Sequence, residues 1–147
     1  MADWTTFFGA EIQTKQGKKS TVDALKDKKV IGIYFSAHWC PPCRQFTPVL
    51  GTVYEDMIED HPDFEIVFVS SDRDEGGFNE YYGEMPWVAL PFASQKEKGS
   101  LAQKYGVSGI PCLVFLNDKG DLITKDGRSV IAGSNGDGDK IWSELTK

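Results

Sequence analysis

Cysteine, histidine and long apolar runs are scarce in this 147-residue chain, and each scarcity removes a class of protein. Three cysteines are too few, and odd in number, for a disulfide-stapled secreted scaffold. No uninterrupted apolar stretch approaches the ~20 residues that span a bilayer, so no membrane segment is expected. The opening "MADWTTFFGAEIQT" carries Asp3 and Glu11 where a secretory leader has a basic region followed by an apolar one. The expected location is the cytoplasm, with the nucleus also open. A clustered excess of basic residues is missing as well: the net charge is -6 and the sequence pI about 4.9. Phosphate backbones are bound by grouped Lys and Arg, so nucleic acid is not an expected partner. The short run Lys26, Lys28, Lys29 reads as a solvated turn before a strand. Repeats, low-complexity tracts and linkers are absent, which predicts a single domain over residues 1–147 and a monomer.

What is present is an ordinary globular composition, 40% hydrophobic, 12% aromatic and 26% charged. The run "VIGIYFS" (Val30 to Ser36) is β-branched and aromatic, with the length of a buried strand. After it, Phe46, Val49, Leu50, Val53, Tyr54, Met57 and Ile58 recur at three- and four-residue steps, predicting a helix from about Pro42 to Asp60. Pro42 suits a first helical position, and Pro48 should kink the helix. "FEIVFVS" (Phe64 to Ser70) is a second buried strand. Asp74 to Tyr82 and "KGSLAQKYG" read as short helices, the second ending at Gly106. "CLVFLN" and "DLITK", joined by "NDKG", read as a hairpin, and a helix over about Asp139 to Leu145 follows a Gly/Asp-rich turn. A β-α-β half followed by a β-β-α half predicts an α/β domain, a central mixed sheet flanked by helices.

The stretch "YFSAHWCPPCRQF" places Cys40 and Cys43 between a buried strand and the first turn of an amphipathic helix. A thiolate there meets free N–H groups and the positive end of the helix dipole, which lower its pKa. Pro41 and Pro42 carry no N–H, so the amides able to reach the Cys40 sulfur belong to Cys43 and Arg44. A zinc site would need a second pair of ligands, yet Cys112, His38 and His61 form no ligand spacing with the pair, so no metal is expected. Haem attachment would need a histidine where Arg44 stands. A structural disulfide closing so short a loop gains little chain entropy. A reactive dithiol is the reading that the spacing favours.

These residues resemble a known family. "YFSAHWCPPCRQFTPVL" is similar to the active-site region of the tryparedoxin and nucleoredoxin branch of the thioredoxin superfamily, which carries W-C-P-P-C where other thioredoxins carry W-C-G-P-C. "VSSDRDEGGFNEYYGEMPWVALPF" (Val69 to Phe92) and "YGVSGIPCLVFLNDKGDLITKDGR" (Tyr105 to Arg128) resemble the same branch, the former its nucleoredoxins in particular. The resemblance implies a thioredoxin fold with a short N-terminal extension. It implies that Cys40 is the exposed nucleophile and Cys43 the resolving thiol, paired in the oxidised state as a redox-active disulfide. It further implies that Trp39 is a flat apolar surface for the partner and that Ile110-Pro111 is a cis peptide facing the dithiol, with Ile110 offering backbone groups to a substrate. Pro111 stands apart on its own, since a proline opening a central strand needs a turn or a cis bond. Pro41, Pro42, Arg44, Arg73 and Arg128 complete the expected substrate-binding set.

The departures from the family pattern are also informative. Thioredoxins carry a buried acid six residues before the first cysteine, and Tyr34 stands there. Ser71, Asp72 and Arg73 replace the tryptophan and acidic pair of tryparedoxins, which argues against the polycationic trypanothione as electron donor. Cys112 follows the expected cis proline, where threonine is common; it reads as a small buried strand residue, the sharper alternative being a third thiol available for a mixed disulfide. His38 is expected to be exposed beside the site, Trp87 to be a core or loop anchor, and Arg128 to be a solvated loop charge or a guide for anionic thiols. "NGDGDK" lacks the Gly and Glu of a calcium loop.

The resulting expectation is a thiol-disulfide oxidoreductase that reduces protein disulfides, peroxidases for example, through Cys40 and Cys43. No bound cofactor is needed. The electrons would come from a low-molecular-weight thiol or a reductase of the thioredoxin-reductase type, with glutathione or such a reductase preferred over trypanothione. The rival reading is a redox-sensitive binding module that grips a signalling partner and releases it on oxidation.

Overall fold

The computed structural model describes residues 3–147. Its centre is the strand β3 (Val30–Ser36), which pairs in parallel with β4 (Phe64–Ser70) and antiparallel with β6 (Cys112–Asn117). All seven residues of β3 and of β4 are buried, as continuous apolar strands covered on both faces must be. The short strand β5 (Val88–Ala89) continues the parallel side, and β7 (Leu122–Thr124) flanks β6. An antiparallel pair, β1 (Glu11–Thr14) and β2 (Gly17–Ser20), completes a sheet of order β2-β1-β5-β4-β3-β6-β7. One edge strand, β2, carries the exposed Lys18 and Lys19, and the other, β7, is three residues long.

Alternation along β3 divides the core in two. Val30 and Tyr34 face the helices α3 (Pro41–Asp60), α4 (Glu75–Tyr82), α6 (Gly127–Gly133) and α7 (Gly138–Thr146). Ile31, Ile33 and Phe35 face α1 (Trp4–Phe8), α2 (Thr21–Leu25) and α5 (Gln95–Lys104). This is a thioredoxin fold: a mixed sheet with helices on both faces. No helix among the described residues is long and apolar enough to cross a membrane.

The expected strands Val30 to Ser36 and Phe64 to Ser70 and the hairpin appear where the pattern places them. In the hairpin turn, Asn117 Oδ1 accepts from the N–H groups of Lys119 and Asp121. Four differences have physical causes. The long helix starts at Pro41 rather than Pro42, because neither of the first two helical positions needs an N–H. Val49, read as part of the apolar face, is 52% exposed; the buried face runs through Cys43, Thr47, Leu50, Val53, Tyr54 and Met57. The segment around Lys98 forms a longer helix than expected, beginning at Gln95. The N-terminal region is a helix, a hairpin and a second helix rather than a plain extension, its strands too short and too polar to announce themselves.

Glu65 is an acid inside this core. Its Oε1 accepts from Tyr54 Oη at 2.8 Å and from the Ile66 N–H at 2.9 Å, and burial raises its pKa above an ordinary 4.5. The folded state therefore holds its proton to higher pH than the unfolded chain, so stability declines as pH rises through that window. Glu65→Gln keeps the acceptor oxygen and loses the buried charge. It should be more stable than wild type to urea at neutral pH, with the gap closing below the ordinary 4.5.

Two glycines give a matched test of packing. A Cβ on Gly127 would lie 2.7 Å from Leu113 Cγ and 2.7 Å from the Leu113 carbonyl oxygen, whereas one on Gly99 meets nothing within 4 Å. Gly127→Ala should destabilise the protein by about 1–3 kcal/mol through overpacking. Gly99→Ala, inside α5, should stabilise it by up to about 1 kcal/mol. Urea midpoints measured side by side check both.

Candidate functional site: a dithiol over a buried hydroxyl chain

The end of β3 delivers the chain into the loop Ala37–Trp39 and then into α3, for which Cys40 is the N-cap residue with φ -97° and ψ 108°. The Cys43 N–H points at Cys40 Sγ at 3.4 Å, so the sulfur occupies the place that a Ser or Asp oxygen takes in an ordinary cap. The Arg44 N–H, the other expected donor, bonds instead to the Cys40 carbonyl at 3.1 Å. Both cysteines are free thiols. Cys40, expected to be exposed, is the less buried of the two but only 5% exposed, against 0% for Cys43. Ala37 and the side chain of Ile110 close over the pair.

The Ile110-Pro111 bond is cis, as the family resemblance implied and as one of the two options that the position of the proline left open. Among the described residues the backbone groups of Ile110 make no hydrogen bond, since pairing of β6 with β3 begins only at Cys112 with Phe35. Trp39 lies 50% exposed and is fixed at one end, its Nε1–H donating to the Ser71 carbonyl at 3.0 Å. Asp72 braces this loop from below. One carboxylate oxygen accepts from the His38 N–H at 2.7 Å and the other from Ser70 Oγ at 2.7 Å. His38, expected to be exposed, is half-buried with its ring 5.6 Å from that of Tyr81.

The arginines lie around this centre. Arg44 is exposed on the first turn of α3. Arg73 holds its guanidinium 5.4 Å from the centre of the Trp39 ring. Arg128 belongs to the first turn of α6 rather than to a loop; its Nη1 donates to the Pro111 carbonyl at 3.4 Å, and its guanidinium lies 5.6 Å from the centre of the Phe46 ring. Cys112 opens β6 half-buried in the packing of the opposite face of the sheet, and burial raises its pKa. Trp87 is a core residue, edge-on to Tyr34 at 5.9 Å and to Tyr54 at 5.6 Å.

Beneath Cys43 runs a chain of four buried hydroxyls that sequence reading missed, apart from noting Tyr34 as a substitute for an acid. Ser36 Oγ lies 2.7 Å from Tyr81 Oη, Tyr81 Oη 2.5 Å from Thr47 Oγ1, and Thr47 Oγ1 2.7 Å from Tyr34 Oη. The Cys43 carbonyl accepts from Thr47 at 2.9 Å and from Tyr34 at 3.4 Å. Thr47 was findable, being four residues after Cys43 on one helix face. Tyr81 lies 45 residues from Ser36, and no local pattern links them.

Each hydroxyl has one proton to give, so the chain has two orders. With Thr47 donating to the carbonyl, Tyr81 donates to Thr47 and Ser36 to Tyr81, leaving the Ser36 oxygen free to accept from the Cys43 thiol. With the Thr47, Tyr81 and Ser36 protons turned the other way, Tyr34 donates to Thr47, Thr47 to Tyr81 and Tyr81 to Ser36, and Ser36 donates to a Cys43 thiolate. The thiol state is the resting one: burial pushes Cys43 up to about 11, with Cys40 adding to the rise and Ser36 opposing it. The chain serves either charge state without a carboxylate.

Ser36→Ala should push Cys43 higher still and slow its attack on a mixed disulfide at neutral pH by about fivefold, the worth of one hydrogen bond. Tyr81→Phe should do the same and also destabilise the protein by about 1–3 kcal/mol, because Ser36 and Thr47 are then left short of partners. The pH profile of the second step, followed by stopped-flow fluorescence, separates this effect from mere loss of stability.

With this geometry in place, comparison with known proteins is consistent throughout. The family described as thioredoxin-like matches residues 27–122. A probable nucleoredoxin 1 of Arabidopsis thaliana is 45% identical over 133 residues, covering 90% of this chain and 23% of that protein. A tryparedoxin of Trypanosoma brucei brucei is 45% identical over 104 residues, covering 69% of this chain and 70% of the relative. The solved structure of a tryparedoxin II complexed with glutathionylspermidine superposes with a TM-score of 0.83 at 33% identity, covering 90% of this chain and 92% of the other. The chain spans about a quarter of the length of the nucleoredoxins it matches.

Proposed function

Because the chain belongs to the thioredoxin-like family, in the branch of tryparedoxins and nucleoredoxins, we propose that it is a thiol-disulfide oxidoreductase that reduces protein disulfides. The observation that carries this reading is the Cys43 N–H aimed at Cys40 Sγ at the start of α3. It gives a thiolate at Cys40 a donor and leaves Cys43 beside it to finish the reaction.

In the proposed cycle the Cys40 thiolate attacks one sulfur of a partner disulfide. The new bond joins Cys40 to that sulfur, and the other partner sulfur leaves as a thiolate and takes a proton. Cys43 then gives up its proton and attacks Cys40 Sγ. The remaining partner sulfur leaves, is protonated, and the two cysteines end as a disulfide, two electrons having passed to the partner. The order of events is built in. Part of what holds Cys43 protonated is the hydrogen bond and charge of Cys40, and both vanish once Cys40 is tied up in a mixed disulfide. Trp39 would give the partner a flat apolar seat, and the unpaired backbone of Ile110 would pair with its chain.

In this reading the whole chain acts as one thioredoxin-type unit. Its electron acceptors are disulfide-containing proteins, peroxidases among the candidates. A low-molecular-weight thiol or a reductase restores the dithiol. The tryparedoxin solved with glutathionylspermidine supports the thiol class of donor.

At neutral pH iodoacetamide should modify Cys40 at least about tenfold faster than Cys43 or Cys112, since burial raises the pKa of both others. Cys43→Ser should accumulate a mixed disulfide with an oxidised protein substrate, and Cys40→Ser none. Mass spectrometry showing Cys43 modified first, or a trapped species on Cys40→Ser, would reverse the roles.

A further inference from the structure

Only three of the sixteen basic side chains are arginines, and all three stand around the dithiol: Arg44, Arg73 and Arg128. The thirteen lysines are spread elsewhere along the chain. Each arginine comes from a different element and is tied to a different part of the site. Arg44 follows Cys43 on α3, Arg73 lies over the Trp39 ring from the loop after β4, and Arg128 reaches the Pro111 carbonyl from α6. None is paired with a carboxylate among the described residues, where the ion pairs are His61 with Asp139 and Lys147 with Glu144.

Three acids near the arginines accept from other donors. Asp72 is buried and accepts from the His38 N–H and Ser70 Oγ. Asp74 accepts from the Gly77 N–H as the cap of α4, and Asp126 accepts from Ser129 Oγ. All three arginines are exposed; among the described residues Arg44 and Arg73 have their forks free and Arg128 spends one N–H on the Pro111 carbonyl, in a protein whose net charge is -6. An arginine fork fits a carboxylate with two parallel bonds, which a lysine cannot do.

We propose that the surface around Cys40 docks an acidic peptide segment: a partner disulfide flanked by residues that carry carboxylates. The extended segment lies between Trp39 and the unpaired backbone of Ile110, and its acidic side chains reach Arg73 on one flank and Arg128 on the other, with Arg44 beside the thiol. The net negative charge of the molecule disfavours such a partner over most of the surface, so the arginines favour its approach on the face where the chemistry happens. A segment rather than a small anion is the better fit, because the three cations come from three separate elements and the surface between them includes a half-exposed indole.

The proposal rests on the redox reading, and the two can fail separately. Reduced protein is mixed with oxidised peptides of one disulfide loop whose flanking residues are all Glu, all Ala or all Lys, and with glutathione disulfide. Oxidation of the protein is followed by tryptophan fluorescence. The Glu peptide should react about tenfold faster than the Lys peptide at low salt, as three exposed charge contacts of modest strength would give, and the advantage should shrink at high salt. Arg73→Ala, Arg44→Ala and Arg128→Ala should each lower the Glu-to-Lys ratio. Arg73→Lys should keep the salt dependence while losing part of the ratio, and circular dichroism confirms folding. Should an alanine variant not fold, the wild-type ratio and Arg73→Lys still decide. A wild-type ratio near one, or a preference for the Lys peptide, overturns the proposal while leaving the oxidoreductase intact. Glutathione disulfide outpacing the Glu peptide, with the arginine variants slowing it alone, overturns the peptide in favour of a small anionic disulfide. Protein that no disulfide oxidises, or a Cys40→Ser variant as fast as wild type, removes the redox reading itself.

Discussion

A buried thiol that becomes an anion, as the proposed cycle asks of Cys43, needs donors that are also harmless while it is neutral. Cys43 is completely buried, and this requirement shapes what surrounds it. A carboxylate beneath it could take its proton, but only as a buried ion without a cationic partner, which is costly in a low-dielectric interior. The protein uses hydroxyls instead. Tyr34 and Ser36 share one face of β3 because they are two residues apart, Thr47 shares a face of α3 with Cys43, and α4 brings Tyr81 between them. Three elements converge on one neutral chain of hydrogen bonds, and the packing of α3 and α4 against the sheet is what holds it together.

The loop bearing Trp39 is held by a different device. Asp72 divides its two oxygens between the His38 N–H and Ser70 Oγ, and the Ser71 carbonyl anchors the indole. The Ser71 N–H in turn bonds to the Ser36 carbonyl at 2.9 Å. The segment after β4 is thus a brace for the segment after β3. Both strands end at the same level because they pair in register from Val30 with Phe64 to Ser36 with Ser70. The rigidity of the site is inherited from strand register rather than from the cysteine loop alone.

How much of this could be read from the chain follows from how far each signal reaches. β3, β4 and α3 are written in contiguous periodic residues, and Cys40, Cys43 and Pro111 announce themselves by local chemistry. Thr47 was within reach of the same periodicity. The roles of Tyr81 and Asp72 were not, since the partners that tie them to the site, Ser36 and Thr47 for Tyr81 and His38 for Asp72, lie 34 or more residues away. Val49 was misplaced because a count of apolar residues does not say which edge of a helix face the sheet will cover. The N-terminal hairpin escaped because four-residue strands such as "GKKS" owe their pairing to a neighbouring edge, not to their own composition. The gathering of the arginines is a tertiary fact: residues 44, 73 and 128 become neighbours of one site only when α3, the β4 loop and α6 are assembled.

The two ends of the sheet have a consequence for crowded surroundings. An open edge strand is a template on which another chain can add itself. Here one border is a lysine-bearing strand and the other a stub of three residues. Desolvating those ammonium groups is unfavourable, and so short a stub offers few backbone bonds to a guest. A unit of this kind can be joined to others on one polypeptide, or concentrated beside its own copies, without the sheets zipping together. In the proposed cycle an extended partner would lie instead along the free backbone of Ile110 beside the thiol, so strand capture would be kept for the encounter that ends in reaction.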